Sequence, residues 1–182
     1  MLEYDFLAQA TGIIAMGFNV FSYQCKSQKG LVTCQLFGTL LFAINYFMLG
    51  AVVGGFLDLI GAFRSVVFMF RKKFRADSIY WVVFFCAFYV LTYILNFTVF
   101  GETFTIKTCL LEILPVVSMI TSTIAFYVGN AAVTRKLGYI TSPTWLIYNF
   151  VIVAIGGIVC EVLCLCSVII GIIRYDIKRK VK

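Results

Sequence analysis

The chain has 182 residues, 62% hydrophobic and 13% charged, with a mean hydropathy of +1.01 and a net charge of +7. Soluble domains average about 45–50% apolar and about 25% charged residues, so a soluble domain is excluded. The absence of His removes the commonest general base, metal ligand and haem ligand.

A spanning helix needs roughly 20 mostly apolar residues. The chain offers seven such stretches, at 6–24, 31–50, 52–70, 79–99, 109–127, 138–154 and 156–173. They are too continuously apolar for the alternating ten-residue strands of a membrane barrel. Helices, which satisfy their own backbone groups in lipid, are expected throughout. The first stretch follows the acidic start Met-Leu-Glu-Tyr-Asp, unlike a cleavable signal peptide, and reads as a permanent span. The second and third are joined tightly at Gly50–Gly54, and the sixth and seventh at Ala154–Gly157, so each pair reads as a hairpin. The fourth, rich in aromatics, stands alone. Cys34, Cys86, Cys160, Cys164 and Cys166 lie within apolar runs and read as small packing residues. Without His or a CxxC pair, no metal and no cofactor are expected.

The chain repeats itself at an offset of 103. Phe42-Ala-Ile-Asn-Tyr-Phe47 falls on Trp145-Leu-Ile-Tyr-Asn-Phe150, Gly54 on Gly157, Asp58 on Glu161, Arg71 on Arg174, Met16 on Met119 and Gly12 on Pro115. Only six positions are identical across 9–71 and 112–174, so the repeat rests on matched hairpins, polar residues and charge sides. One unpaired helix between the halves makes them parallel in the membrane. The expected fold is an all-α integral membrane protein of seven transmembrane helices, two parallel three-helix repeats joined by a linker helix. Its parts are residues 1–75, the linker span within 76–104, and 105–182 with a basic tail.

Lys and Arg concentrate in cytoplasmic loops. Thirteen of the fifteen basic residues fall on one side of this layout: Lys26, Lys29, Arg71, Lys72, Lys73, Arg75, Arg135, Lys136, Arg174, Lys178, Arg179, Lys180 and Lys182. Lys107 falls on the other and Arg64 within a span. The N-terminus is therefore expected outside and the C-terminus in the cytoplasm. The positive charge is explained by topology and anionic lipid, and no nucleic-acid partner is needed.

Asp58 and Glu161 each sit about seven residues into a descending span, roughly 10 Å below the surface. An ionised carboxylate in such a place costs on the order of 3 kcal/mol and usually faces a bundle interior or a water-filled cavity. The pair either binds a polar or cationic solute or exchanges protons across a central cavity, or it merely holds the bundle together. Asn45, Tyr46, Tyr148 and Asn149 lie at a similar depth and suit a neutral hydrogen-bonding solute, or else bond between helices. Phe42 and Trp145, one turn deeper, are placed to stack on a ligand or to pack. Gln9 and Glu112 match near the outer mouth, Asn19, Ser118, Thr121 and Ser122 near the inner half, and Arg64 is expected to snorkel to the cytoplasmic surface. Gly12 and Pro115 are matched weak points that suit rocker hinges. There is no phosphate loop, nucleophile elbow or catalytic His, and an enzyme is not expected.

Leu114-Pro115-Val116, Ser122-Thr123, Trp145–Phe150, Ile155-Gly156-Gly157, Glu161 and Ile173-Arg174, with Phe47-Met-Leu-Gly50 and Arg64 in the first half, resemble the YgjV-like bacterial inner-membrane protein family. The layout resembles the wider SWEET and PQ-loop transporter superfamily, although the Pro-Gln dipeptide is absent and the only prolines are Pro115 and Pro143. The resemblance implies a multi-pass protein of the bacterial inner membrane. It also implies alternating access between two three-helix bundles, moving a small polar solute with or without proton coupling. Sugar carriers of that type place an asparagine where this chain has Asp58 and Glu161, which argues against a neutral sugar. The alternative is a non-transporting scaffold, receptor or regulator. The lipid bilayer and a small polar solute are the expected partners, with a homo-oligomer open.

Overall fold

A computed structural model describes residues 2–177; Lys178, Arg179, Lys180 and Lys182, counted above among the basic residues, lie outside the described residues. The helices are α1 Leu2–Ser22, α2 Gln28–Met48, α3 Val52–Met69, the single turn α4 Arg71–Phe74, α5 Ile79–Thr98, α6 Ile106–Val128, α7 Ala131–Val151 and α8 Ile155–Gly171. A π-helical extension, Ile172–Ile177, continues α8. No strand occurs among the described residues.

Local chemistry sets these ends. Ser27 and Asn130 each cap a helix: the Ser27 hydroxyl accepts from the Gly30 N–H at 3.1 Å, and Asn130 Oδ1 from the Ala132 N–H at 2.9 Å. Gly129, at φ 69°, closes α6 in the left-handed conformation that glycine adopts without strain. The Gly129-Asn130 stop-and-start makes α7 begin seven residues before the apolar run expected at 138. Its first turns therefore carry Arg135 and Lys136.

The repeat is visible in these boundaries. Adding 103 to Gln28–Met48 gives Ala131–Val151, the bounds of α7; adding it to Val52 gives Ile155, the start of α8. The caps Ser27 and Asn130 are equivalent by the same shift, as are the two hairpin turns. In the first turn the Ala51 N–H donates to the Tyr46 carbonyl at 2.9 Å, and in the second the Ala154 N–H donates to the Asn149 carbonyl at 2.9 Å. Gly50 (φ 73°) and its equivalent Val153 (φ 56°) both take the left-handed conformation.

The six long helices other than α5 pack in a ring, each on the next: α1, α2, α3, α6, α7, α8 and back to α1. The α3–α6 and α1–α8 seams are equivalent under the 103-residue shift. α5 packs over the α3–α6 seam. Each seam uses close approach: the Ser167 hydroxyl donates to the Val20 carbonyl at 2.7 Å, and Arg64 Nη1 donates to the Met119 carbonyl at 3.1 Å. One apolar cluster (Leu57, Phe85, Tyr89, Phe126) fills the α3–α5–α6 side, and a second (Phe42, Tyr46, Cys160, Val168) fills the other.

Large apolar side chains also cover the outside, among them Ile14, Phe21, Ile44, Phe63, Val83, Leu110, Phe150 and Ile170. Exposed apolar surface on that scale belongs against lipid. Five helices are long and apolar enough to cross a membrane, α2, α3, α5, α6 and α8 with its extension; Leu7–Ser22 of α1 is a shorter apolar stretch. The expected sixth span, α7, falls outside that set. Besides Arg135 and Lys136 it carries Thr141-Ser142-Pro143-Thr144, polarity that it turns partly to the ring interior.

Basic residues gather at one end of the ring. There Arg135, buried, pairs with Asp176 and donates to the Cys25 carbonyl at 3.3 Å, and Arg71 lies against Gly129. The two tight hairpins lie at the other end.

Candidate functional site

Inside the ring is a polar cavity of about 70 Å³, enough for on the order of five waters. Every ring helix contributes. Asp58 and Arg64 come from α3, Glu161 from α8, Thr39 and Phe42 from α2, Trp145 and Ser142 from α7, Ser122 and Met119 from α6, and Asn19 from α1. The lining runs from a Tyr46–Trp145 layer at the hairpin end to Asn19, Tyr23 and Gln35 near the basic end.

Asp58 and Glu161 thus face one space, as their matched positions predict. Asp58 is buried and has no hydrogen bond or ion pair among the described residues; the charges whose field reaches it are Arg64 and Glu161. Glu161, half-buried, has the Ser142 hydroxyl beside it. Two carboxyls and one guanidinium leave unbalanced negative charge when all three are ionised. In a low-dielectric setting that favours binding a cationic group or a proton.

Arg64 was expected to snorkel, and it does not. It is 3% exposed and turns inward. Besides the Met119 carbonyl, Nη1 reaches Thr123 Oγ1 at 3.4 Å and Tyr89 Oη at 3.5 Å, and the guanidinium lies 4.7 Å over the Phe126 ring. These partners on α5 and α6 outcompete a longer reach to the basic end. Its Nε is buried without a partner. The sequence signal was present in outline, an Arg two turns beyond an Asp inside an apolar run, but the side-chain direction was not.

The Asn/Tyr layer divides. Tyr46 lines the cavity, stacked between Phe42 at 6.0 Å and Trp145 at 5.8 Å. Asn45, Tyr148 and Asn149 stand outside it. Asn45 Nδ2 donates to the Ala8 carbonyl at 2.6 Å and ties α2 to α1. The Tyr46 hydroxyl donates to Asn149 Oδ1 at 2.8 Å, and these two positions are 103 residues apart. The bond therefore joins equivalent positions of the two halves across the ring and closes the cavity at the hairpin end.

Beyond that closure lies a second pocket of about 270 Å³, lined by the α2–α3 turn, Asn96, Glu102, Glu112 and Tyr148. Asn96 Nδ2 and Glu112 Oε2 are buried there without partners. Glu112 thus lines this pocket; Gln9 is exposed on α1.

The proposed hinges look different from one another. A Cβ at Gly12 would meet Asn45 Nδ2 at 3.2 Å, and a Cβ at Gly156 would lie 3.8 Å from the Gly12 Cα, so close packing accounts for this glycine. α6 continues through Pro115, which leaves the Leu111 carbonyl without its usual donor.

Among known families, residues 6–179 match Imp-YgjV, described as bacterial inner membrane protein. No curated protein and no solved structure matches the chain.

Proposed function

The chain belongs to the Imp-YgjV family of bacterial inner membrane proteins, and on that premise we propose that it is a small secondary transporter for a polar solute. The observation that carries this reading is the charged cavity inside the ring, closed at one end by a bond between repeat-equivalent residues. Transporters built from repeats hold their substrate near mid-membrane between the halves and expose it by rocking one half against the other.

In this reading the first triplet is α1–α3, the second is α6–α8, and α5 is the linker of a three-plus-one-plus-three, SWEET-like membrane layout. The basic end faces the cytoplasm, with the N-terminus outside. The cavity lining, which extends toward that end, then belongs to an inward-facing state. The Tyr46–Asn149 bond is its outer gate, and the pocket with Glu102 and Glu112 is the outer vestibule. Opening outward breaks that bond and unstacks Tyr46 from Trp145, while the residues around Asn19, Tyr23 and Gln35 close. Asp58 and Glu161 meet the solute or carry a proton with it. Phe42 and Trp145 form the cavity's aromatic wall.

Flux into proteoliposomes tests this. The wild type, Asp58→Asn and Glu161→Gln are loaded against a panel of labelled sugars, amines, amino acids and short carboxylates, with an internal pH dye. Saturable flux of one class, reduced at least ten-fold in both variants, is expected. Equal flux in all three proteins removes the carboxylates from the mechanism. No flux of any solute class favours the non-transporting scaffold or receptor.

A further inference from the structure

We infer that the cavity binds a small zwitterion, with an ammonium group held at Asp58 and Glu161 and a carboxylate held at Arg64. This rests on the transport reading and adds the substrate class.

The guanidinium carries the argument. Arg has five N–H donors in a rigid planar fork and no acceptor. In Arg64 only Nη1 is engaged, by the Met119 carbonyl, Thr123 and Tyr89, with the Phe126 ring below. Nε is buried and unpartnered, and Nη2 makes no hydrogen bond among the described residues. Those two nitrogens form the edge that takes a carboxylate side-on. Arg135 shows that edge in use in the same molecule: its Nε donates to Asp176 Oδ2 at 3.0 Å and its Nη2 to Oδ1. Arg64 is anchored by one corner with its carboxylate-binding edge unfilled. An unmade buried donor costs stability, so a group that completes it binds with advantage.

The acids supply the other half. Arg64 lies six residues after Asp58 on α3, and helical side chains lean toward the N-terminus, which tilts the guanidinium toward Asp58. Asp58 lacks a hydrogen-bonding partner, and Glu161 faces it from the opposite half. An anion without an ammonium group meets two carboxyls; a cation without a carboxylate meets Arg64. A solute carrying both charges, with one or two carbons between them, satisfies each. The cavity of about 70 Å³ holds on the order of five waters, a size that suits the smallest α-amino acids.

The test uses the full chain in nanodiscs with labelled glycine, L-alanine and L-serine as probes. Competitors are alaninamide, which keeps only the ammonium, and N-acetylalanine, which keeps only the carboxylate. Saturable binding of at least one probe, with each single-charge analogue at least ten-fold weaker, is expected. Arg64→Gln weakens the zwitterion at least ten-fold and does not weaken alaninamide, and Arg64→Lys recovers part of the loss. No binding of any probe, or an analogue that binds as well as the parent, overturns the inference, and the wild-type comparison decides even where a variant does not fold. Proteoliposome flux of another solute class without probe binding leaves transport standing and removes the zwitterion. Selective probe binding without flux does the reverse.

Discussion

Tyr46 has a hydroxyl with a single assigned partner, Asn149 Oδ1, and a ring pressed between Phe42 and Trp145. Tyr46→Phe keeps the ring and removes the bond. Side-chain bonds between membrane helices are worth about 0.6–2 kcal/mol, so this variant is expected to unfold a few degrees earlier in detergent. It is also expected to label more readily from the hairpin side at a cysteine placed in the central cavity. An unchanged melting temperature and unchanged labelling remove the bond from both roles. The matched positions of Asp58 and Glu161 made a shared cavity one of two readings, the other being a closed interface, because an acid inside an apolar run has few places to go. The same logic did not separate Asn45 from Tyr46. Adjacent residues on a helix point about 100° apart, and only packing decides which of the two faces the interior. For Arg64 the flexible arm made the outcome depend on partners in α5 and α6 that are distant in sequence.

The hairpin turns show how much of an element a sequence discloses. Gly50 marks its turn plainly, since glycine accepts a positive φ. Val153 occupies the equivalent place at φ 56° with a β-branched side chain, a conformation that costs roughly 1–2 kcal/mol. Nothing in valine announces a turn; the repeat does. Val153→Gly is expected to raise thermal stability by about 1 kcal/mol, and Gly50→Val to lower it by a similar amount, both read by thermal unfolding of the purified protein. Equal melting temperatures for all three proteins exclude the strain. Helix α7 is the element least legible beforehand. Hydropathy locates lipid-facing segments, whereas α7 spends its polar residues on the cavity and on Arg135. The Gly129-Asn130 pair, a stop signal followed by a cap, sets its start and went unread in the sequence, where the span was expected from 138.

At the scale of the molecule, an ionised residue inside a membrane costs about 3 kcal/mol, so Asp58, Arg64 and Glu161 would together cost on the order of 9 kcal/mol if all three were ionised. Folded domains have only about 5–15 kcal/mol of net stability. Charges on that scale are tolerable where water and one another reach them, which is the arrangement around Asp58, Arg64 and Glu161. The ring order places α3 against α6 and α8 against α1, so the halves meet along two equivalent seams. If these seams are alike, exchanging the gate residues preserves their bond. The double variant Tyr46→Asn with Asn149→Tyr is therefore expected to regain most of the stability that each single change loses, measured by thermal unfolding. A double variant as unstable as the two single losses combined shows that the halves are not interchangeable at the gate.

The bond between Tyr46 and Asn149 also bears on ancestry. An assembly of two identical three-helix chains must place the same residue on both sides of its symmetry axis, so a phenol there faces a phenol and an amide an amide. Fusing the two copies into one gene lifts that constraint, and one side becomes a dedicated donor while the other becomes a dedicated acceptor. Arg64 and its equivalent Ser167 have also diverged: both bond to a carbonyl across their seams, but Arg64 lines the cavity as well. The interior is correspondingly uneven: each half gives the cavity an acid, Asp58 or Glu161, but the cavity's arginine, Arg64, comes from the first half, an asymmetry that no symmetric pair of half-size chains possesses.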